Sequence, residues 1–158
     1  MSRMLRAVIV AAVLVTTTGF GYALAAKPAT ASPVLGPGLV TVHVDIEYSR
    51  FHLDALRVQQ GTTVRFVVRN HDPINHEFVV GDDAVHARHE HGTEARHPPV
   101  PGEVSVNAQD DGVTFYTFDQ PGDFLYACHL PGHVAYGMFG NITVVPRSQP
   151  AGPSATGG

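Results

Sequence analysis

Cys128, His133 and Met138 fall at five-residue intervals in the stretch YACHLPGHVAYGMFG, Tyr126 to Gly140. A thiolate, an imidazole and a thioether are soft or borderline metal donors, and the intervening Pro131, Gly132 and Gly137 suit a tight loop rather than a helix. A metal held there needs a fourth donor from elsewhere in the chain. NHDPINHEFVVGD, Asn70 to Asp82, offers His76, which follows a proline-containing turn and precedes the apolar run Phe78 to Val80. A histidine at the start of a strand has its ring fixed by a rigid sheet. Two imidazoles, one thiolate and a weak axial thioether are the donor set of a blue-copper electron-transfer site. Taken singly, each residue has a plainer account: a buried cysteine is a small hydrophobe, a methionine fills a core, and a strand-end histidine bonds to backbone. Their joint placement in one turn-rich loop, with an upstream histidine, favours the metal.

The elements that must position these donors show an apolar period of two. LVTVHVDIE alternates Val40, Val42, Val44 and Ile46 against Thr41, His43, Asp45 and Glu47, and TVRFVVRN sets Val64, Phe66 and Val68 against Arg65 and Arg69. Further strands are expected at Leu53 to Val58, Ile74 to Val80, Glu103 to Asn107, Val113 to Phe118, Phe124 to Cys128 and Met138 to Val145. Turn signals separate them, among them QQGT, NHDP, QDDG, DQPGD and LPGH. The pattern predicts an all-β fold, an antiparallel Greek-key β-sandwich of seven to eight strands spanning 39–146. A His-rich insertion at 83–103 interrupts it and has room for a short helix.

The 158-residue chain is about one domain long, and its 44% apolar fraction is ordinary for a globular protein. Residues 1–26 read as a signal peptide: Arg3 and Arg6 are basic, Ala7 to Val15 are apolar, and ALAA at Ala23 to Ala26 ends in small residues. The same segment is long enough to serve instead as an uncleaved membrane anchor. Residues 27–38 have the composition of a flexible tether and 147–158 that of a disordered tail. Export places the domain in the periplasm or outside the cell. Without residues 1–26 the chain loses two of ten Lys+Arg and none of 14 Asp+Glu, leaving 8 − 14 = −6, which argues against nucleic acid as a partner. The lone Cys128 has no intrachain cysteine to pair with.

The upstream histidine with the C-x4-H-x4-M loop resembles the cupredoxin superfamily, the blue type 1 copper proteins that include plastocyanins and azurins. The resemblance covers about Leu39 to Val145. It implies a Greek-key sandwich and one type 1 copper, with His76, Cys128 and His133 as equatorial ligands and Met138 as axial ligand. NHEFVVGDDAVHARHEHGTE followed by YACHLPGHVAYGM is most similar to small exported cupredoxins with a His-rich insertion, some linked to copper handling. The family usually follows its first histidine ligand with Asn, which ties the two ligand loops together. Glu77 stands there instead, and either tunes the metal or faces solvent. Multicopper oxidases flank the cysteine with two histidines, whereas Ala127 precedes Cys128 and only His129 follows it.

The remaining histidines divide into two groups. His43, His52 and His71 are expected at the surface, and His129 should point to the other side of its strand from Cys128. His86, His89, His91 and His97 share the insertion, where His86, His89 and His91 make a possible second, weak Cu(II) site. The leading functional expectation is a carrier of single electrons between redox partners, meeting a redox protein through an apolar rim of Leu130, Pro131, Val134, Ala135 and Tyr136 around His133. The alternative is copper binding for resistance, storage or delivery. An enzyme is not expected, since the chain shows no clear second catalytic metal or substrate pocket.

Overall fold

The computed structural model describes residues 32–53, 55–90 and 100–147. The expected signal peptide, residues 27–31 of the tether, His91 and His97 in the insertion, and residues 148–158 of the tail lie outside the described residues. Among the described residues, ten strands and one helix follow in chain order: β1 (Val34–Leu35), β2 (Leu39–Glu47), β3 (Arg50–His52), β4 (Leu56–Gln59), β5 (Thr62–Asn70), β6 (His76–Gly81), α1 (Asp83–Glu90), β7 (Glu103–Val106), β8 (Asp111–Phe118), β9 (Gly122–Ala127) and β10 (Phe139–Val145).

Two sheets result. One has the order β1-β4-β10-β9-β6-β7 and the other β3-β2-β5-β8. The sequence expectation of a β-sandwich holds, with two differences. The sheets are mixed rather than antiparallel, because β2 with β5, β10 with β4 and β1 with β4 pair in parallel. Two short strands were also not foreseen: β1 falls within the expected tether, and β3 follows β2 through a turn at Tyr48 and Ser49, both in the left-handed region (φ 54 and 53).

The period of two decides which side chains meet. Val42, Val44 and Ile46 of β2 and Val64, Phe66 and Val68 of β5 face inward, while Thr41, His43 and Glu47 are exposed. They pack with Phe78 and Val80 of β6, Tyr126 of β9, and Ile142 and Val144 of β10. Phe78 is fully buried and meets Phe51, Phe66 and Tyr126 at ring centroid separations of 5.5, 5.0 and 5.6 Å. Cutting such a ring to Ala costs about 3–5 kcal/mol. Phe78 and Tyr126 of this cluster lie on β6 and β9, the strands whose ends carry His76 and lead into Cys128.

β6 is buried on both faces because α1 covers its outer side. Gly81 permits that approach: a Cβ there would lie 2.6 Å from the Val85 side chain. Asp82 starts the helix, its Oδ1 accepting the N–H of Val85 at 3.0 Å. α1 has no apolar stripe, and its one buried side chain is His86.

Candidate metal centre

The sheet brings His76, Cys128 and His133 together. His76 Nδ1, Cys128 Sγ and His133 Nδ1 lie within 4.8 Å of one another. Cys128 Sγ is 3.1 Å from His133 Nδ1, and the two histidine Nδ1 atoms are 3.3 Å apart. His76 opens β6, and Cys128 follows the last residue of β9. Both are buried, and His133 is half-buried.

The loop from Cys128 to Met138 is closed by its own backbone. Met138 N–H donates to the His133 carbonyl at 3.0 Å, and Cys128 N–H to the Met138 carbonyl at 3.1 Å. His133 N–H reaches Leu130 O at 3.0 Å, Tyr136 N–H reaches Gly132 O at 3.0 Å, and Gly137 N–H reaches Val134 O at 2.8 Å. Gly132 (φ 85) and Gly137 (φ 87) take left-handed conformations that L side chains resist. Arg50 on β3 donates to the Tyr136 carbonyl and fastens the loop to the other sheet. Met138 is fully buried at the foot of the loop, directly before β10.

Two carboxylates hold the arrangement: Asp72, which the sequence did not single out, and Glu77, which it left open between the metal and solvent. Asp72 Oδ2 lies 3.0 Å from His76 Nε2 and accepts the N–H of Ser49 at 2.7 Å, while Oδ1 accepts the N–H of Tyr48 at 2.7 Å. With Nε2–H donating to Asp72, the unprotonated nitrogen of His76 is Nδ1, which faces the cluster. Glu77 is buried, and its Oε1 accepts the N–H of His129 at 2.7 Å. It therefore ties the start of β6 to the segment that follows Cys128, and the solvent-facing alternative for Glu77 is excluded. The only hint in sequence was position, immediately after His76; for Asp72 the hint was the Asp-Pro turn four residues before it.

Burial pushes the Cys128 thiol up to about 11, against the N–H groups of Glu77 and Leu130 that favour the thiolate. Burial likewise holds both His76 and His133 below the ordinary imidazole value, although Asp72 pulls His76 back up. The two imidazoles thus resist positive charge, while the thiol resists negative charge and gives up its proton only in exchange for another cation. That chemistry fits a soft metal ion, which needs neutral imidazole and a thiolate.

The other expected positions are also visible. His43, His52 and His71 are exposed, and His71 Nε2 lies 3.0 Å from Asp45 Oδ1. His129 turns toward α1, where its Nε2 is 2.9 Å from His86 Nδ1 and its ring stacks on His89 at 5.6 Å. Burial, then repulsion from His86 and His89, pushes His129 down to about 4. His91, expected beside His86 and His89, lies outside the described residues.

The family model for copper binding proteins of the plastocyanin/azurin family matches residues 39–145. The chain belongs to this family. Among relatives of this plastocyanin/azurin-type chain, the copper-resistant cuproprotein CopI of Rubrivivax gelatinosus is 38% identical over 98 residues, 60% of this chain and 59% of that protein. The chain thus spans under two thirds of that relative. CopI of Pseudomonas aeruginosa is 27% identical over 179 aligned positions, 89% of this chain and 98% of that protein. A solved structure of auracyanin B aligns with TM-score 0.55 and 28% identity, covering 67% of this chain and 88% of that one. The fold is a cupredoxin β-sandwich.

Proposed function

We propose that the protein is an exported, mononuclear type 1 copper protein that carries single electrons, with His76, Cys128 and His133 as strong ligands and Met138 as the weak axial one. The observation that carries the reading is the convergence of His76 Nδ1, His133 Nδ1 and Cys128 Sγ within 4.8 Å on backbone that is already hydrogen-bonded. Copper held there supplies a one-electron couple. The chain's own part is to keep the donors still. Asp72 fixes the His76 ring, Glu77 fixes the backbone at His129, and the closed loop fixes His133 and Met138. Donors that stay in place between oxidation states make the exchange of an electron cheap in reorganisation.

His133 reaches the surface amid Pro131, Ala135 and Tyr136, which are exposed, Tyr136 at 74%. A redox protein meeting this apolar rim through a small, short-lived interface is the proposed partner. The basic and apolar start of the sequence supports export to the periplasm or beyond. Among the described residues no helix is long and apolar enough to cross a membrane.

Copper binding for resistance, storage or delivery is the second reading, favoured by the name of the CopI relatives and by the histidines gathered at α1. In both readings the protein binds copper and turns over no substrate. The deciding experiment is the visible spectrum of the copper-loaded protein. An intense thiolate-to-copper band that Cys128→Ser removes, with the circular dichroism unchanged, is the expected result. A colour that survives this substitution ends the type 1 assignment.

A further inference from the structure

α1 is a polar helix whose one buried residue is a histidine. His86 is 5% exposed, and its Nε2 lies 3.0 Å from the Leu125 carbonyl on β9. A carbonyl can only accept, so Nε2 carries the proton and Nδ1 holds the lone pair. That Nδ1 sits 2.9 Å from Nε2 of His129. His76 is arranged in the same way, with Nε2 on an acceptor and Nδ1 presented to its neighbours. An acceptor on the far nitrogen orients metal-binding imidazoles and raises their basicity.

We propose that His86 Nδ1 and His129 Nε2, with His89 beside them, form a second metal site, selective for Cu(II), one residue along the chain from Cys128. With metal–nitrogen bonds of about 2.0 Å, two nitrogens 2.9 Å apart subtend about 93° at the ion. That is close to the right angle of tetragonal Cu(II), whereas a tetrahedral ion such as Zn²⁺ needs its donors about 3.3 Å apart. Both donors are fixed: His86 by Leu125, and the backbone of His129 by Glu77 at 2.7 Å. His89 stacks on His129 with rings 28° from parallel, and its Nε2 lies 3.2 Å from Glu103 Oε2. Its Nδ1 lies 2.9 Å from the Val85 carbonyl, so Nε2 is the nitrogen that would serve as a third donor, on leaving Glu103. The buried Glu103 carboxylate then offsets part of the added positive charge.

This ligand set deepens the copper-handling reading and is independent of the type 1 assignment. It differs from the sequence expectation of His86, His89 and His91 by bringing in His129, 43 residues from His86. A plain imidazole–imidazole hydrogen bond produces the same short distance, and metal titration tells the two apart.

The test takes the protein already holding one copper and adds Cu(II) at neutral pH, followed by calorimetry and electron paramagnetic resonance. A second equivalent should bind with a tetragonal, nitrogen-coupled signal and no new thiolate colour. His129→Ala and His86→Gln should each weaken it by more than about tenfold, since losing even a partner of a ligand costs that much. His86→Gln keeps a donor for the Leu125 carbonyl, so α1 stays docked, which circular dichroism and thermal melting check. Zn²⁺ should bind more weakly than Cu(II). The proposal is overturned if no second equivalent binds, if both variants bind like wild type, or if His91→Ala alone abolishes binding. Colour at the first equivalent reports on the other centre, so failure of either assignment is seen separately.

Discussion

Replacing Asp72 with Ala removes a carboxylate that links the β2–β3 turn to the first histidine of the site. Three donors lose their acceptor: the N–H groups of Tyr48 and Ser49, each at 2.7 Å, and His76 Nε2 at 3.0 Å. An unsatisfied buried donor costs about 1–3 kcal/mol. Tyr48 is 89% exposed and Ser49 half-buried, so water can partly replace the carboxylate there, and about 1 kcal/mol each is reasonable. His76 is 1% exposed, and its N–H bears a larger cost of about 2 kcal/mol. The loss therefore comes to about 4 kcal/mol for Asp72→Ala. For Asp72→Asn, whose amide nitrogen confronts a donor, about half of that is expected. Urea unfolding of the metal-free protein reads this directly: at a slope of about 2 kcal/mol/M the midpoint falls by about 2 M for Ala. Nitrogen NMR gives a second readout, because His76 should change from a single Nε2–H tautomer to a mixture. A loss of under about 1 kcal/mol, or a tautomer that does not change, refutes the role given to Asp72.

Three further outcomes follow from the same geometry. Glu77→Ala should destabilise the protein by about 1–3 kcal/mol, measured by urea unfolding, because it strands the half-buried N–H of His129 and leaves a gap under α1; a neutral result would mean the tie is dispensable. Met138→Leu should leave the thiolate colour in the copper-loaded protein and raise its potential, since a donor to the oxidised ion is lost; cyclic voltammetry checks it, and an unchanged potential would remove Met138 from the ligand set. The metal-free protein should lose stability as pH falls below about 6.5, because His76, His133 and His129 all have folded values below the ordinary one and the unfolded chain binds more protons. The same sign holds for Asp72, lowered by its hydrogen bonds against burial, whose contribution is lost only below about pH 3.9. Unfolding curves at a series of pH values that coincide between pH 7 and 4 would contradict this.

How much of this was legible in the sequence depends on whether the information is local. The alternation along LVTVHVDIE and TVRFVVRN marks two half-buried strands because side chains take turns on the faces of a sheet, and both strands lie where the alternation put them. The tight loop from Cys128 to Met138 was legible for a similar reason: Cys128, His133 and Met138 are joined by backbone bonds spanning ten residues or fewer, so spacing alone constrained their geometry. Pairing was not legible. β2 lies parallel to β5, with Val42 opposite Phe66, and nothing in either strand's own alternation distinguishes that neighbour from an antiparallel one. β1 and β3 have two and three residues, too few for any periodicity.

The carboxylates show where residue type misleads and position matters more. Glu is rarely buried without a partner, so Glu77 could be read from its type as a solvated side chain. In the fold it sits on a strand buried on both faces, and its carboxylate meets an N–H 52 residues away. His86 follows the same logic. α1 has no apolar stripe to dock it, and by pattern alone it reads as a solvated helix. It docks through the gap that Gly81 leaves for Val85 and through a histidine whose far nitrogen grips the β9 backbone. Alternation correctly sends the His129 side chain away from Cys128, but only the landing place of α1 decides that it meets two more imidazoles there. A polar helix fixed by an imidazole is a poor device for burying surface and a good one for presenting a lone pair.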